Sequence, residues 1–274
     1  MRIGIFAKTF PGHDPAAVLR AVHDAGYVCT QFNLVCAGLD AMPAEVPDAA
    51  FAAIAAAVRE TGVSIAALSG TYNMIHPDAA ERAHGLGRLR VVIAAAARLG
   101  IPMVTLCTGT RDPHDQWRAH PDNTTPEAWR DLCDEMGRAA ELAEAAGVAL
   151  GIEPEQANVV MTAADALRLF REIGSPWLRV VLDPANLFEH DDRTTANRIV
   201  ADAVAALAGH VGMAHAKDRD AQGRFCTAGT GIVDFPAFLG GLRATGFDGA
   251  VVTHGLSAAA APEVAAFLAR LVAA

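Results

Sequence analysis

The feature that most constrains this chain is a regular alternation of short apolar segments with longer, Ala-rich segments of helical periodicity. The apolar segments predict strands at residues 2–6, 28–34, 64–68, 102–107, 149–152, 179–182, 212–216 and 250–253. The segments between them predict helices at residues 14–25, 48–61, 79–99, 126–146, 162–173, 195–207, 234–245 and from 262 onward. Near-continuous apolar strands joined by helices are typical of a parallel sheet that is covered on both faces.

The number of repeats predicts the architecture. Eight β-α units in 274 residues correspond to about 34 residues per unit, which is typical of a (β/α)8 TIM barrel. No Ser/Gly-rich linker or block of charge divides the chain, so we predict a single α/β domain over residues 1–274. The alternative, a doubly wound open sheet, would carry G-x-G-x-x-G after the first strand. Lys-Thr-Phe-Pro-Gly stands there instead, at residues 8–12.

Charge and composition exclude several classes of protein. The net charge of −9 argues against a nucleic-acid partner, which would require a basic surface. Charged residues interrupt the apolar runs before they reach the length of a membrane span, and the first residues lack the apolar core of a signal peptide. None of the 5 cysteines forms a C-x-x-C pair, which argues against thiolate zinc and a disulfide framework. We therefore expect a cytoplasmic protein without a membrane partner.

Polar residues follow nearly every predicted strand, where the active site of a barrel enzyme lies. They are Lys8, Asn33, Ser69, Tyr72, Asn73, Thr108, Glu153, Glu155, Asp183, Asn186, His215, Lys217, Asp218 and His254. Glu153, Asp183 and His215 close three consecutive strands. Each residue alone has an ordinary structural explanation, since a strand-end Asp often caps the next helix and a lone His is usually structural. Together they predict a divalent metal site, because mixed oxygen and nitrogen ligands suit Mn²⁺, Mg²⁺, Co²⁺ or Zn²⁺.

Three motifs of the second half carry a family resemblance. Gly-Ile-Glu-Pro-Glu (151–155), Val-Leu-Asp-Pro-Ala-Asn-Leu (181–187) and Ala-His-Ala-Lys-Asp (214–218) resemble the xylose isomerase-like TIM-barrel superfamily. That superfamily includes sugar phosphate isomerases and epimerases, inosose dehydratases and endonuclease IV, an AP endonuclease of family 2. The segments at 229–235 and 246–249 are similar to its last helix entry and its entry to strand eight.

The resemblance implies a metal held by Glu, Asp, His and a second Glu. Mn²⁺ is the expected ion, with Mg²⁺, Co²⁺ and Zn²⁺ as alternatives. In the isomerases of the family, the glutamates move a carbon-bound proton through an enediolate that the metal stabilises. Here His254 stands in place of the second Glu. It could be the fourth ligand, which we favour, the second acid/base, or a hydrogen-bonding residue at the rim. Asn186 stands where the epimerases often have a histidine.

The candidates for substrate contact share a position on loops that follow strands. They are Lys8, Asn33, Tyr72, Trp117, Asn186, Lys217 and Arg219. Tyr72 and Trp117 would offer apolar faces to a sugar ring, with the long segment around Trp117 acting as a lid. Lys217 and Arg219 precede Gly229 and Gly231, and cations with glycines at this corner of a barrel could hold a phosphate.

These observations predict a metal-dependent isomerase or epimerase of a small sugar, sugar phosphate or related hydroxy-carbonyl compound. Glu153 would serve as ligand and base, and His254 as the second catalytic candidate. The alternatives are a keto-inositol-type dehydratase and a non-catalytic, sugar-binding barrel. His76 and His120 could add a second metal, as in endonuclease IV, but the acidic charge argues against DNA chemistry. We expect a homodimer or homotetramer, since such assemblies are common in the family.

Overall fold

A computed structural model describes residues 1–273 as a closed barrel of eight parallel strands surrounded by eight helices. The barrel strands are β1 Arg2–Phe6, β2 Cys29–Phe32, β3 Ser64–Ser69, β4 Met103–Cys107, β5 Ala149–Glu153, β6 Leu178–Leu182, β7 Val211–Ala216 and β8 Ala250–Thr253. The helices are α1 Pro15–Asp24, α2 Asp48–Thr61, α3 Ala79–Leu99, α4 Pro126–Ala146, α5 Ala163–Ile173, α6 Arg193–Ala206, α7 Phe235–Ala244 and α8 Ala261–Ala273. The predicted (β/α)8 fold class is confirmed.

The sheet closes where β1 pairs with β8, in a register that aligns Ile5 with Thr253. A short antiparallel hairpin, Asp218–Arg219 with Phe225–Cys226, follows β7 and stands outside the barrel sheet. Because all eight strands run parallel, their carboxyl ends meet at one rim. Side chains that follow distant segments of the sequence can therefore converge there.

The interior of the barrel is filled by a small apolar cluster drawn from six strands. One member is Met103 of β4, whose side chain lies against Gly151 of β5 and Gly212 of β7. A Cβ atom at Gly151 would lie 2.7 Å from Met103 Sδ, so a larger residue there would collide with it. This cluster closes the barrel below the rim, and the site lies above it.

Local capping explains where the helices begin and end. Thr162 and Asp165 form a reciprocal capping box at the start of α5, and Gly100 and Gly147 end α3 and α4 in the left-handed conformation. The second strand is shorter than predicted and ends at Phe32, because Asn33 caps a turn of 3-10 helix through its side chain. Within residues 1–273, no helix is both long and apolar enough to cross a membrane.

Candidate metal centre and active-site cavity

Four side chains converge at the rim formed by β5, β6, β7 and β8. One ligand atom from each of Glu153, Asp183, His215 and His254 lies within 4.8 Å of those of the other three. His215 Nδ1 lies 3.1 Å from Glu153 Oε1 and 3.6 Å from Asp183 Oδ2. His254 Nε2 lies 3.0 Å from the same Asp183 oxygen. Among the residues described, this is the one group of three or more such side chains close enough to share a metal ion.

The spacing of these atoms fits a single divalent cation. Donors at about 2.1 Å from a common centre lie about 3.0–3.4 Å from one another, close to the 3.0–3.6 Å found between the atoms of this cluster. Two carboxylates and two imidazoles suit Mn²⁺, Co²⁺ or Zn²⁺. Glu153, Asp183, His215 and His254 therefore fit the metal that the sequence predicts.

The electrostatics of the cluster favour ionised carboxylates. Burial raises the pKa of Glu153 and of Asp183, but the charged partners outweigh burial in both. His215 holds the pKa of Glu153 below its usual value. Lys217, with hydrogen bonds from His215 and His254, holds the pKa of Asp183 well below its usual value.

The two imidazoles differ in their pKa. Burial lowers the pKa of His215, but the charges of Glu153 and Asp183 outweigh burial and raise it to about 9. Burial and the neighbouring His215 lower the pKa of His254. In the metal-free protein at neutral pH, His215 is therefore a cation and His254 is neutral.

Asn186 and Lys217 brace this cluster from the side of β6 and β7. Asn186 Nδ2 donates to Glu153 Oε1 at 2.8 Å, while its Oδ1 accepts from Lys217 Nζ at 2.6 Å. Lys217 Nζ also lies 3.4 Å from Asp183 Oδ2 and 3.9 Å from the centre of the Phe225 ring. Both residues were predicted as substrate contacts; both line the cavity, and both are already bonded to the metal-site side chains.

A cavity of about 560 Å³ opens above the cluster. Of the predicted site residues it brings together Lys8, Asn33, Trp117, Glu153, Asn186, His215, Lys217 and His254. Asp183 lies beneath it, fully buried. The cavity also contains Glu155, one of the polar strand-end residues, and two polar residues that the sequence analysis did not single out, Gln31 and Thr105. Burial and the charge of Glu153 raise the pKa of Glu155 to about 7.

Two predicted substrate contacts lie outside this cavity. The Tyr72 hydroxyl donates to the buried carboxylate of Glu135 at 2.8 Å, and its ring lines a neighbouring cavity beside α3. Arg219 donates to the carbonyls of Ala185 and Gly223, and stacks on Phe225 at 4.1 Å from the ring centre. Tyr72 thus ties β3 to α4, and Arg219 stiffens the hairpin after β7. Loop residues of this kind give no sign in the sequence of which way they point.

The predicted phosphate corner after β7 is already filled by a carboxylate of the chain. Asp218 is fully buried, and its oxygens accept from the amides of Arg219, Gly229, Gly231 and Val233 at 2.8–3.1 Å. Those amides include the glycine N–H groups that a phosphate would need. Arg224, the remaining cation of the corner, pairs with Asp220. The glycine-rich segment therefore binds its own aspartate rather than forming an anion cradle.

The second-metal hypothesis finds no support in the structure. His76 accepts from the Asp78 amide and contacts the carbonyl of Pro113, while His120 accepts from the Asp122 amide. Neither histidine belongs to the four-residue cluster. His120 caps a short 3-10 helix, and His76 stabilises the turn that precedes α3.

Comparisons with known proteins identify the family of the chain. The sequence profile of the family described as "Xylose isomerase-like TIM barrel" matches residues 19–271. Curated relatives include L-ribulose-5-phosphate 3-epimerase UlaE from Shigella flexneri serotype 5b, 27% identical over 203 residues, which are 72% of this chain and 66% of the relative. The match thus spans just under two thirds of that relative's length.

Solved structures show the same fold at lower sequence identity. An L-ribulose 3-epimerase is 23% identical with a TM-score of 0.80, over 99% of this chain and 94% of the other. Apo 3-keto-D-glucoside 4-epimerase YcjR from E. coli is 20% identical with a TM-score of 0.78, over 98% and 99% of the two chains. The profile match and the shared barrel lead to one conclusion: the chain belongs to the xylose isomerase-like TIM-barrel family.

Proposed function

We propose that this protein is a metal-dependent isomerase or epimerase of a small hydroxy-carbonyl compound, a sugar or a substituted sugar. The convergence of Glu153, Asp183, His215 and His254 at the base of a polar cavity carries the proposal. The named activities of the relatives, which are sugar and sugar-phosphate epimerases, support the same reaction class. Mn²⁺ is the proposed ion.

Glu153 is the proposed base. It lines the cavity, its low pKa keeps it ionised at neutral pH, and the Asn186 amide fixes one of its oxygens. A carboxylate held in this way can take the proton from the carbon next to a substrate carbonyl. A divalent cation held by the cluster would supply Lewis-acid stabilisation of the enediolate charge. Asn186 and Lys217 keep Glu153 and Asp183 in position while the proton moves.

His254 is the proposed fourth ligand. Its Nε2 contacts Asp183, its pKa is lowered, and its side chain is only 22% exposed, so it offers a neutral imidazole to a cation. If His254 were instead the second acid/base, its substitution would have a different effect on metal affinity. A ligand is required for metal affinity, whereas an acid/base is required only for turnover. Metal affinity of His254→Gln therefore separates the two roles.

Trp117 and Lys8 are the proposed contacts at the mouth of the cavity. Trp117 is 51% exposed and lines the cavity on the segment after β4. Its neighbours hold that segment in shape, since Asn123 Oδ1 accepts from Thr110 and Arg111. An aromatic face at the mouth suits the apolar face of a sugar ring. Lys8 offers an exposed ammonium for hydroxyl, carboxylate or phosphate groups.

The decisive experiment measures proton exchange. Chelated protein is supplied with Mn²⁺ and incubated in D₂O with L-ribulose, L-ribulose 5-phosphate, D-psicose and a 3-keto-glucoside. We expect deuterium at the carbon next to the carbonyl of at least one substrate, without change of molecular formula otherwise. Glu153→Gln abolishes the exchange. Glu263→Gln, at an exposed position of α8, is the matched control and retains it.

The same experiment separates the alternatives. Loss of water from the product would indicate the dehydratase. Sugar binding without deuterium uptake, together with the absence of bound metal, would indicate the non-catalytic barrel. Full exchange by Glu153→Gln would contradict the proposed base.

A further inference from the structure

A row of hydrogen-bonded, buried polar side chains crosses the barrel along the wall of the cavity, from β3 and β4 to β7. Its members are Ser69, Thr105, Gln31 and His215, each of them buried. Gln31 Nε2 lies 3.1 Å from Ser69 Oγ and 3.0 Å from Thr105 Oγ1, and Gln31 Oε1 lies 2.9 Å from His215 Nε2. Gln31 therefore links two hydroxyls on one side of the barrel to a metal-site imidazole on the other.

Each hydrogen bond in this row of side chains has a defined donor and a defined acceptor. The Thr105 hydroxyl donates to the carbonyl of Leu68, so its oxygen is an acceptor toward Gln31. The Gln31 amide group has two N–H donors, and Thr105 and Ser69 accept one each. The amide oxygen must then face His215, where it accepts from Nε2. The opposite orientation would place the amide N–H groups against His215 and leave both hydroxyls facing a carbonyl oxygen.

This direction decides which nitrogen of His215 can bind a cation. A neutral imidazole carries one N–H and one lone pair. With the proton held on Nε2 by Gln31, the lone pair is on Nδ1, the nitrogen that lies 3.1 Å from Glu153 and 3.6 Å from Asp183. With Gln31 flipped, the proton would move to Nδ1 and block the metal site.

We propose that Gln31, oriented by Thr105 and Ser69, is a positioning residue that fixes the His215 tautomer with its Nδ1 lone pair toward the metal site. The inference rests on the proposed metal site. Partners that accept the second N–H of a metal-binding histidine change metal affinity by about 10- to 100-fold when they are removed. Gln31 thus prepares the site from β2, although it offers no ligand itself.

Two pairs of variants test this role. Gln31→Met removes the acceptor at similar size, whereas Gln31→Glu retains an acceptor oxygen toward His215. Thr105→Val removes the hydroxyl that orients Gln31, whereas Thr105→Ser keeps it. Mn²⁺ affinity is measured by electron paramagnetic resonance, and the protonated nitrogen of His215 is identified by ¹⁵N NMR of the Zn²⁺-loaded protein. Thermal unfolding and circular dichroism confirm that each variant is folded.

We expect Gln31→Met to weaken Mn²⁺ binding by about 10- to 100-fold and Gln31→Glu to bind within about threefold of the unmodified protein or more tightly. Thr105→Val weakens binding more than Thr105→Ser and adds a second tautomer to the His215 spectrum. Equal Mn²⁺ affinity in Gln31→Met and the unmodified protein, or His215 protonated on Nδ1 in the Zn²⁺-loaded state, overturns the proposal. If Gln31→Met does not fold, equal affinities of the two Thr105 variants overturn it. No Mn²⁺ binding by the unmodified protein would overturn the metal site as well, so the two failures are distinguishable.

Discussion

Two fully buried aspartates follow neighbouring strands of the barrel, and their hydrogen-bond and ion-pair partners differ in kind. Asp183 follows β6 and faces the side chains of His215, His254 and Lys217. Asp218 follows β7 and faces backbone amides, four of which donate to it. Both are 0% exposed. Burial and residue type therefore do not separate a functional aspartate from a structural one.

The partners make the difference. Backbone amides are fixed by the fold, so the carboxylate of Asp218 cannot exchange them for another ligand without opening the hairpin after β7. The imidazole partners of Asp183 carry protons that can leave. The imidazole nitrogens can stay in place when a cation takes the position of those protons. A buried carboxylate surrounded by titratable side chains is thus a candidate ligand, whereas one surrounded by amides is part of the loop.

The largest expected effect is the loss of stability in Asp218→Ala. This change leaves four N–H donors without their acceptor. Two of them belong to the buried residues Arg219 and Val233, where an unsatisfied donor costs about 1–3 kcal/mol. We expect the free energy of unfolding in urea to fall by at least about 3 kcal/mol. Asp202→Ala, on the exposed face of α6, is the matched control and changes little. A loss below about 1 kcal/mol would show that water replaces the carboxylate.

Asp183→Asn tests the other aspartate. The amide oxygen can still accept from the Ala185 amide, which Asp183 Oδ1 now does at 2.9 Å. The charge that attracts the cation is gone, so we expect Mn²⁺ affinity to fall at least about 100-fold, with a smaller loss of stability than in Asp218→Ala. Isothermal titration calorimetry measures the Mn²⁺ affinity, with Asp202→Asn as the control. Retained affinity would contradict the assignment of Asp183 as a ligand.

The pH dependence of metal binding is the next prediction. Because the carboxylates raise the pKa of His215 to about 9, the metal-free protein carries a proton on Nδ1 below that pH. The cation must displace this proton, so Mn²⁺ affinity should rise by about tenfold per pH unit between pH 6 and 9. Calorimetry in buffers of different ionisation enthalpy should find about one proton released per Mn²⁺ at pH 7. A flat profile would mean that His215 is not a ligand.

The smallest change, a shift in melting temperature, is expected on substitution of His254, which stands where the resemblance implies a second Glu. His254→Glu restores the carboxylate that the resemblance implies, but it removes the hydrogen bond to Asp183 and adds a like charge beside it. The metal-free variant should therefore melt a few degrees lower, and Mn²⁺ should stabilise it more than it stabilises the unmodified protein. His254→Gln, which is uncharged, is the control and should show no such gain. An unchanged melting temperature of metal-free His254→Glu would place the side chain outside the cluster.

The sequence predicts the fold and the metal cluster for the same reason. Apolar strands alternate with capped helices, and polar residues at strand ends must meet at the rim of a closed parallel barrel. Glu153, Asp183 and His215 follow from this rule without knowledge of any side-chain orientation, whereas His254 joins the set through the family resemblance. The single domain over residues 1–274, the oligomeric state and the cytoplasmic location stay predictions.

The residues that the sequence does not reveal are those whose role depends on which way the side chain points. Gln31 lies in β2, whose four residues are all buried, so no alternation of buried and exposed positions marks which side chains point toward the site. Tyr72 and Arg219 lie on loops, where several directions are open and the neighbours that fix them come from distant segments.

The exposure of Trp117 has a practical consequence for optical spectroscopy. The chain has 3 tryptophans, and Trp117, 51% exposed, is the one among the residues lining the cavity. Trp129 is 8% exposed, and its indole nitrogen donates to Glu172. Trp177 is half-buried, so Trp117 is the most exposed of the three, and emission at the longest wavelengths should come mainly from the mouth of the cavity. A ligand that covers Trp117 should shift this emission to the blue, so that binding can be followed without a label.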